Sequence, residues 1–384
     1  PRAAGLPADL WGASDGATLA ALVRASNPRL PVLRRLERRI LAAQLNPPAT
    51  APGAEGELFL ARVDKLLDMG ATGAAKSLLQ AAGPADQERF RRLFDVALLS
   101  GDEVEACAIM GRTPGVAPSF PAQIFCLALG GAVKDQRRGR PEDLAPPLVV
   151  TPLDLRLHEA VGQPLPSANL PLAFALADLD QNGGWKARLD SAERLARAGA
   201  IPASQLRSIY VEQKPAASGG VWDRAAAVQA LDAALQARDT AQVAQTLPPA
   251  FDAMVAAGLG PALADMAGAQ VGALALDGRA GQIALCLALA AGQWQVVAKP
   301  PADSAALDLW LLDFASGLAD ATPPAGDGLD RAGLLLGGFR QGTPLPQRAA
   351  EQIGANRRGE AMLAAIADRD AGLVRLLDIH QRLA

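Results

Sequence analysis

The two histidines of the chain are the first candidates for acid–base or metal chemistry. His158 and His380 lie far apart, and neither has a cysteine or a second histidine at the spacing typical of a metal site. Glu159 follows His158 directly, but only residues three or four apart share a helix face, so the two side chains point in different directions. We therefore interpret His158 as a surface residue and predict no catalytic pair.

Other motifs that bind cofactors or metals are absent or incomplete. The sequence contains no GxxxxGKS/T or GxGxxG phosphate loop and no GxSxG motif around a nucleophilic serine. Residues 178–183 read D-x-D-x-N-G, the first half of an EF-hand loop, but the twelfth position is Leu189, which cannot bind calcium. The alternative is a turn that caps the helix beginning near Trp185. The sequence thus predicts no catalytic residue, no cofactor, no metal and a protein that is not an enzyme.

Three cysteines are the remaining reactive side chains. Cys107 falls in the second predicted helix of one hairpin and Cys126 in the first helix of the next. They form either a disulfide or two buried apolar thiols, and the choice depends on the compartment. Cys286 lies on an apolar run, so we expect it to be buried in the core.

The composition indicates what kind of fold positions these residues. Half of the residues are apolar, with Ala and Leu dominant, and only 4% are aromatic. Ala and Leu form helices readily, so the composition favours an all-α fold. The formal net charge is −3, with both signs mixed along the chain, which is unlike a nucleic-acid-binding surface. No run of about 18 apolar residues appears, so we predict no transmembrane segment.

A short join between two helices recurs along the chain. An apolar helix runs into Gly or a small polar turn and a second helix follows, first at residues 66–75 and again at 97–106. The hairpins repeat after about thirty residues, which resembles a degenerate tetratricopeptide repeat without its aromatic consensus. The predicted fold is an α-solenoid of antiparallel helical hairpins. In the C-terminal half, we expect Pro248 and Pro249 to end the helix that begins at Thr240.

Residues 134–152 interrupt this pattern. The run KDQRRGRP begins at Lys134, is basic and lacks apolar periodicity. We interpret 134–152 as a linker or as a seam where residues are missing from the numbering, with a basic docking segment as the alternative. The predicted domains are N-terminal hairpin repeats over 1–133 and a C-terminal helical array over 153–384.

Two sets of residues are candidates for binding a partner. The predicted helix over 32–45 carries Arg34, Arg35, Arg38 and Arg39 around an apolar face. This basic surface faces either an acidic partner or phospholipid headgroups, or it is simply solvated. Five tryptophans lie near helix starts or turns and are either packing anchors or interface anchors. They are Trp11, Trp185, Trp222, Trp294 and Trp310.

Two segments carry a resemblance to a known group of proteins. Residues 122–131, AQIFCLALGG, and 215–224, PAASGGVWDR, resemble alphaproteobacterial tetratricopeptide-like envelope proteins related to the antifreeze-glycopeptide group. Some of these are similar to the MotK type of flagellar motility protein. The resemblance implies a periplasmic protein that has lost a signal peptide, although the sequence leaves a cytoplasmic location open. It also implies partners among flagellar motor or other envelope components, and oligomerisation within a larger assembly.

These observations predict a non-enzymatic scaffold that holds other proteins in position in the bacterial envelope. The flagellar motor is the first candidate for its partner. The alternatives are an adaptor for cell-wall enzymes and a helical enzyme that acts on glycans. A glycan-acting enzyme would need a cleft with paired carboxylates of displaced pKa.

Overall fold

The protein is mostly helical in the part that the structure describes. The computed structural model describes residues 6–29, 31–49, 56–83, 86–130, 147–179, 184–297 and 356–367, and these residues contain no β-strand. The all-α prediction is thus confirmed, and the tetratricopeptide-like solenoid stays a prediction. Among these same residues, no helix is both long enough and apolar enough to cross a membrane.

The chain divides into two compact units. The first comprises Pro1–Gly184 and Leu345–Arg382, and the second comprises Trp185–Pro344 and Leu383–Ala384. Most of the predicted linker 134–152 lies outside the described residues, which resume at residue 147.

Up to residue 184, the described part of the first unit is built from short helices. They are α1 (Gly16–Ala25), α2 (Pro31–Ala42), α3 (Glu57–Asp68), α4 (Thr72–Ala82), α5 (Gln87–Ser100), α6 (Glu103–Arg112), α7 (Phe120–Leu129) and α8 (Pro152–Ala160), with a 3-10 helix over Leu172–Leu179. Helices α3 to α6 pack against their sequence neighbours, as the hairpin joins predict. Helix α5 also packs against α8 and the 3-10 helix, so it lies at the centre of the unit.

Side chains near the helix starts explain several boundaries of the first unit. Asp15 and Asp86 accept hydrogen bonds from amides in the first turns of α1 and α5, and Ser119 does the same for α7. Thr151 and Asp154 form a reciprocal capping box at the start of α8. These contacts satisfy amide hydrogens that have no partner within the helix, which is why helices begin at these positions.

Two helix ends in the first unit are instead capped by arginines from distant helices. Arg62 of α3 is buried and donates to the carbonyl oxygens of Leu41 (Nε, 2.9 Å) and Ala43 at the end of α2. Burial lowers the pKa of Arg62 to about 10. Arg156 of α8 donates from Nε to the Leu98 carbonyl oxygen near the end of α5, at 2.7 Å. Each guanidinium pairs with carbonyls that lack an intrahelical donor.

Residues near both ends of the chain meet in the first unit. The Gly359 amide donates to the Leu10 carbonyl oxygen (2.8 Å), and the Ala13 amide donates to that of Asn356 (2.9 Å). A methyl group at Gly359 would lie 2.3 Å from Cε3 of Trp11, so only glycine allows the helix over 358–367 to approach this indole. The N-terminal segment is thereby part of the core.

Over residues 184–297, which the structure describes, the second unit contains six further α-helices. They are α9 (Trp185–Arg197), α10 (Ala203–Tyr210), α11 (Val221–Ala237), α12 (Thr240–Ala256), α13 (Gly260–Gly272) and α14 (Gly278–Ala290), followed by a 3-10 turn over Trp294–Val296. Helices α13 and α14 approach very closely, because a methyl at Gly268 would lie 2.6 Å from the Leu287 carbonyl oxygen and one at Gly272 would lie 2.7 Å from Ala288 Cβ. Packing also joins α10 to α13 and α12 to α14, so it extends beyond sequence neighbours.

The predicted stop at Pro248 and Pro249 is wrong. Helix α12 runs through both prolines to Ala256. Val243, Leu247, Ala250 and Met254 are all buried at spacings of three and four residues, so one continuous helix keeps this whole stripe in the core. The burial of the stripe outweighs the hydrogen bonds that the prolines remove.

Candidate functional site: an exposed apolar helix and a buried polar network

Helix α7 presents apolar side chains to solvent. Its ten residues, FPAQIFCLAL, contain no charged group. Phe120, Ile124 and Leu127 are 72%, 44% and 50% exposed, and Val104 on the neighbouring α6 is 68% exposed. The three α7 residues follow the spacing i, i+4, i+7, so they lie on one side of the helix. We call Phe120, Ile124 and Leu127 the apolar stripe.

Few contacts hold α7 against the rest of the first unit. Of its ten residues, all of which the structure describes, Ala122 alone is buried. The Phe125 ring meets the Phe94 ring edge-on with centroids 6.4 Å apart. Before the helix begins, Gln87 of α5 donates from Nε2 to the Ala117 carbonyl oxygen at 3.0 Å. The helix therefore touches the core along a narrow side, which leaves the apolar stripe outside.

A disulfide joins α7 to α6. Cys107 and Cys126 are bonded through their sulfurs, and their Cα atoms are 5.3 Å apart, within the usual range for a disulfide. Of the two arrangements that the sequence leaves open, the structure contains the bonded one. The prediction that Cys286 is buried is wrong, because Cys286 lies on the exposed side of α14, whereas Leu285 and Leu287 face the core.

An exposed apolar stripe on an uncharged helix can bind another protein through hydrophobic contact. Single exposed apolar residues are common on protein surfaces, but a contiguous set is typical of interaction sites. The sequence pattern predicts the opposite of this surface, because a helix that is apolar all round is normally buried on every side. The exposure of α7 follows from its position at the margin of the unit, which no local pattern predicts.

The predicted basic surface on α2 is smaller than the sequence suggests. Arg35 and Arg39 are exposed, whereas Arg34 and Arg38 are half-buried. Arg34 donates to the carbonyl oxygens of Pro28 (3.3 Å) and Arg29 (2.9 Å) in the preceding loop. Burial, together with the charge of Arg34, lowers the pKa of Arg38. Two of the four arginines thus face solvent, and the other two take part in packing.

The tryptophans are placed in different ways. Trp11 is 1% exposed and lies beneath the Arg62 guanidinium, 5.9 Å from the ring centroid. Trp185 is also buried and packs against half-buried Trp222, with centroids 5.3 Å apart. Trp11 and Trp185 thus serve as packing anchors. The backbone of Trp294 begins the last 3-10 turn, and Trp310 lies outside the described residues.

The second unit contains a buried polar network around Glu193. This carboxylate is 1% exposed and accepts hydrogen bonds from Arg224 (Nε and Nη2, both 2.7 Å), Arg197 (Nη2, 3.0 Å) and the Tyr210 hydroxyl (2.8 Å). These side chains come from α9, α10 and α11. Arg197 also donates from Nε to the Ala257 carbonyl oxygen just after α12, at 2.7 Å. One carboxylate thereby connects four helices.

The geometry of this network is that of a structural site. Both oxygens of Glu193 already accept two hydrogen bonds each, so none is directed toward an open cleft. Burial and the nearby charge of Glu193 raise the pKa of Tyr210 far above its ordinary value, so its hydroxyl stays protonated and acts as a donor. The network is therefore suited to fixing helix positions rather than to moving protons.

Sequence reasoning missed this network entirely. Along the chain, Tyr210 lies 17 residues from Glu193 and Arg224 lies 31 residues from it. No local spacing rule connects them. The signal that was available is the single tyrosine of the chain, placed at the end of an amphipathic helix.

The remaining candidates are His158 and the half calcium motif over 178–183. The prediction that His158 is a surface residue is wrong, because α8 packs on α5 and buries the side that carries Leu155 and His158. Asp178 accepts a hydrogen bond from Ser167, while 180–183 of the half calcium motif lie outside the described residues. Within the described ranges, no group of three or more His, Cys, Asp or Glu residues is arranged to hold a metal ion.

The chain has no match among known proteins that would assign this surface or this network a role. No protein-family model, no curated protein and no solved structure matches it.

Proposed function

We propose that the protein is a non-enzymatic helical scaffold that binds another protein through the apolar stripe of α7. The observation that carries this proposal is the exposure of Phe120, Ile124 and Leu127 on a helix without any charged residue. Burying such side chains in an interface removes apolar area from water at about 25 cal/mol per Å². The Glu193 network is saturated by its own partners, which favours a structural role.

The chemistry of the stripe defines the partner. A surface without charge cannot attract an acidic or basic peptide, so the complementary surface is itself apolar. Side chains at i, i+4 and i+7 present a row that fits the groove of a second helix. The proposed partner surface is therefore an apolar helix face, and its binding should depend little on salt concentration.

The proposed location is the bacterial envelope. Disulfides persist in oxidising compartments such as the periplasm and are rare in the cytosol, so the Cys107–Cys126 bond supports an exported protein. Together with the resemblance of residues 122–131 and 215–224, it makes components of the flagellar motor the first partners to test. An adaptor for cell-wall enzymes is the second candidate, since it would use the same surface in the same compartment.

Site-specific crosslinking in living cells tests the proposal. A photo-crosslinking amino acid is placed at Ile124, and the matched control carries it at Ala233, an exposed position on α11 in the other unit. Captured proteins are identified by mass spectrometry. We expect stator or basal-body proteins at position 124 only, and expect Leu127→Lys to remove them.

Each outcome of this experiment is informative. Capture of cell-wall hydrolases or synthases at position 124 would support the scaffold function. It would make an adaptor for cell-wall enzymes the better proposal than a component of the flagellar motor. Two results would show that the stripe is not the docking surface. One is capture of the same proteins at positions 124 and 233, and the other is capture that Leu127→Lys does not change.

A further inference from the structure

The disulfide of α7 lies where the helix has few other attachments. No side chain of α7 forms a hydrogen bond or ion pair with another described helix. Its N-terminal end is anchored by buried Val116 before the helix, by the bond from Gln87 to the Ala117 carbonyl oxygen, and by buried Ala122. Toward the C-terminal end, Phe125 and Cys126 pack against the core, the Phe125 ring meets Phe94 edge-on, and Cys126 is bonded to Cys107.

The surroundings of the disulfide allow a thiol to reach it. Cys107 and Cys126 are both half-buried, at the outer margin of the unit rather than in the centre of its core. Burial protects a disulfide, because thiol–disulfide exchange requires a thiolate to reach one of the two sulfurs. The two half-buried cysteines therefore join a weakly attached helix to α6 at a place that is not sealed in the core.

We propose that the Cys107–Cys126 disulfide is a redox latch, and that a dithiol reductant releases the C-terminal half of α7 from α6. One thiolate of the reductant attacks a sulfur of the pair, the Cys107–Cys126 bond breaks, and the other cysteine leaves as a thiolate that takes a proton from water. The second thiol of the reductant then resolves the mixed disulfide. Two electrons pass to the cysteine pair, and the dithiol is oxidised to its own disulfide.

The physical basis of the release is the loss of a short covalent loop. The two cysteines are 19 residues apart, and closing a loop of this size restricts the open state enough to favour the docked helix by about a hundredfold. Without the bond, the apolar contact of Phe125 with Phe94 must hold the C-terminal half of the helix against its own conformational entropy. Reduction thus removes the main attachment of Ile124 and Leu127 while Ala122 still anchors the first turn.

The latch would control presentation of the apolar stripe. The release itself depends only on the contacts of α7, whereas its effect on partner binding rests on the proposed function. An ordered row of Phe120, Ile124 and Leu127 exists only while α7 is docked, so a reduced protein should bind its partner more weakly.

Hydrogen–deuterium exchange on the full chain tests the latch without any partner. Peptides covering residues 120–130 are compared in the oxidised protein and after dithiothreitol, with α5 and α13 as internal references. We expect exchange in the second half of α7 to rise roughly a hundredfold on reduction. Reoxidation should restore the protection. Cys286→Ser should respond like the wild type, since Cys286 is not part of the latch.

The variant Cys107→Ser/Cys126→Ser should exchange rapidly in α7 without any reductant. If this variant does not fold, wild-type protein that is reduced and then alkylated supplies the same comparison. Unchanged exchange in α7 after reduction would overturn the proposal. A uniform rise across α3 to α7 would also overturn it, because the disulfide would then stabilise the whole unit. Failure to find a partner leaves this result unaffected.

Discussion

Apolar side chains are usually buried and charged ones exposed, and two regions of this protein depart from that rule. They are the Glu193 network in the second unit and helix α7 in the first. The network places a carboxylate in the interior, where each oxygen accepts hydrogen bonds from nearby donors. Helix α7 places Phe120, Ile124 and Leu127 in water. A buried charge tolerates no missing partner, whereas an exposed apolar side chain costs little until something covers it. The first therefore indicates stability and the second indicates binding.

The largest expected effect comes from opening the Glu193 network. Arg224→Met removes two of the four hydrogen bonds to a carboxylate that cannot reach water, so we expect the free energy of unfolding to fall by about 3–5 kcal/mol. Denaturation by urea, followed by circular dichroism, measures it. The control Arg207→Met breaks the more exposed pair with Asp232 and should cost about 0–1 kcal/mol. Equal losses of unfolding free energy for Arg224→Met and Arg207→Met would show that burial does not increase the stabilisation that the network provides.

A carboxylate of the first unit extends the comparison to pH. Burial raises the pKa of Asp95 on α5 to about 6, although Arg91 and Arg92 partly oppose the rise and Glu88 adds to it. The folded state then holds the proton more tightly than the unfolded state. The contribution of Asp95 to stability is therefore fully present below its ordinary pKa of 3.8 and is lost as the pH rises through about 6.

Asp95→Asn should therefore stabilise the protein at pH 8 by up to about 3 kcal/mol and change little at pH 4. Urea unfolding at a series of pH values measures this difference. Asp252→Asn, at an exposed ion pair with Arg279, is the control and should show no such dependence. A constant difference for Asp95→Asn at all pH values would contradict the prediction.

Removing one neutral donor from Glu193 should have a smaller effect. Tyr210→Phe deletes the hydroxyl at 2.8 Å from Oε1 but leaves Arg224 in place, so we expect a loss of about 1–2 kcal/mol. Ser208→Ala, which removes an exposed hydroxyl on the same helix, should cost less than about 0.5 kcal/mol. In a double-mutant cycle, Tyr210→Phe and Arg224→Met should be non-additive, and additivity would contradict a shared network.

The smallest effect on stability is expected on α7. Ile124→Lys and Leu127→Lys should each change the free energy of unfolding by no more than about 0.5 kcal/mol, since the replaced side chains already face water. Leu98→Lys on α5, where the side chain is fully buried, should unfold the protein. A large destabilisation by Leu127→Lys would show that the stripe is packed within the chain rather than available to a partner.

The sequence by itself determined the helical class and many of the helix boundaries. Ala and Leu content, the Gly-ended joins and the local caps act over four or five residues, and these interactions form in the same way whatever the distant chain does. Helix α5 illustrates this. The Asp86 side chain caps its start, and the left-handed backbone of Gly101 ends it. The same local logic predicted the helices on which Cys107 and Cys126 lie.

Only the tertiary structure decided which faces are buried and which charges are paired. Pro248 and Pro249 lie inside α12 because the stripe around them packs against other helices, which no local rule records. Arg62, Arg156 and Arg197 cap helix ends that are between 21 and 60 residues away. The apolar pattern of α7 predicts a buried helix, and its position at the margin of the unit leaves it exposed. Burial and pairing depend on neighbours in space, and neighbours in space are a property of the whole fold.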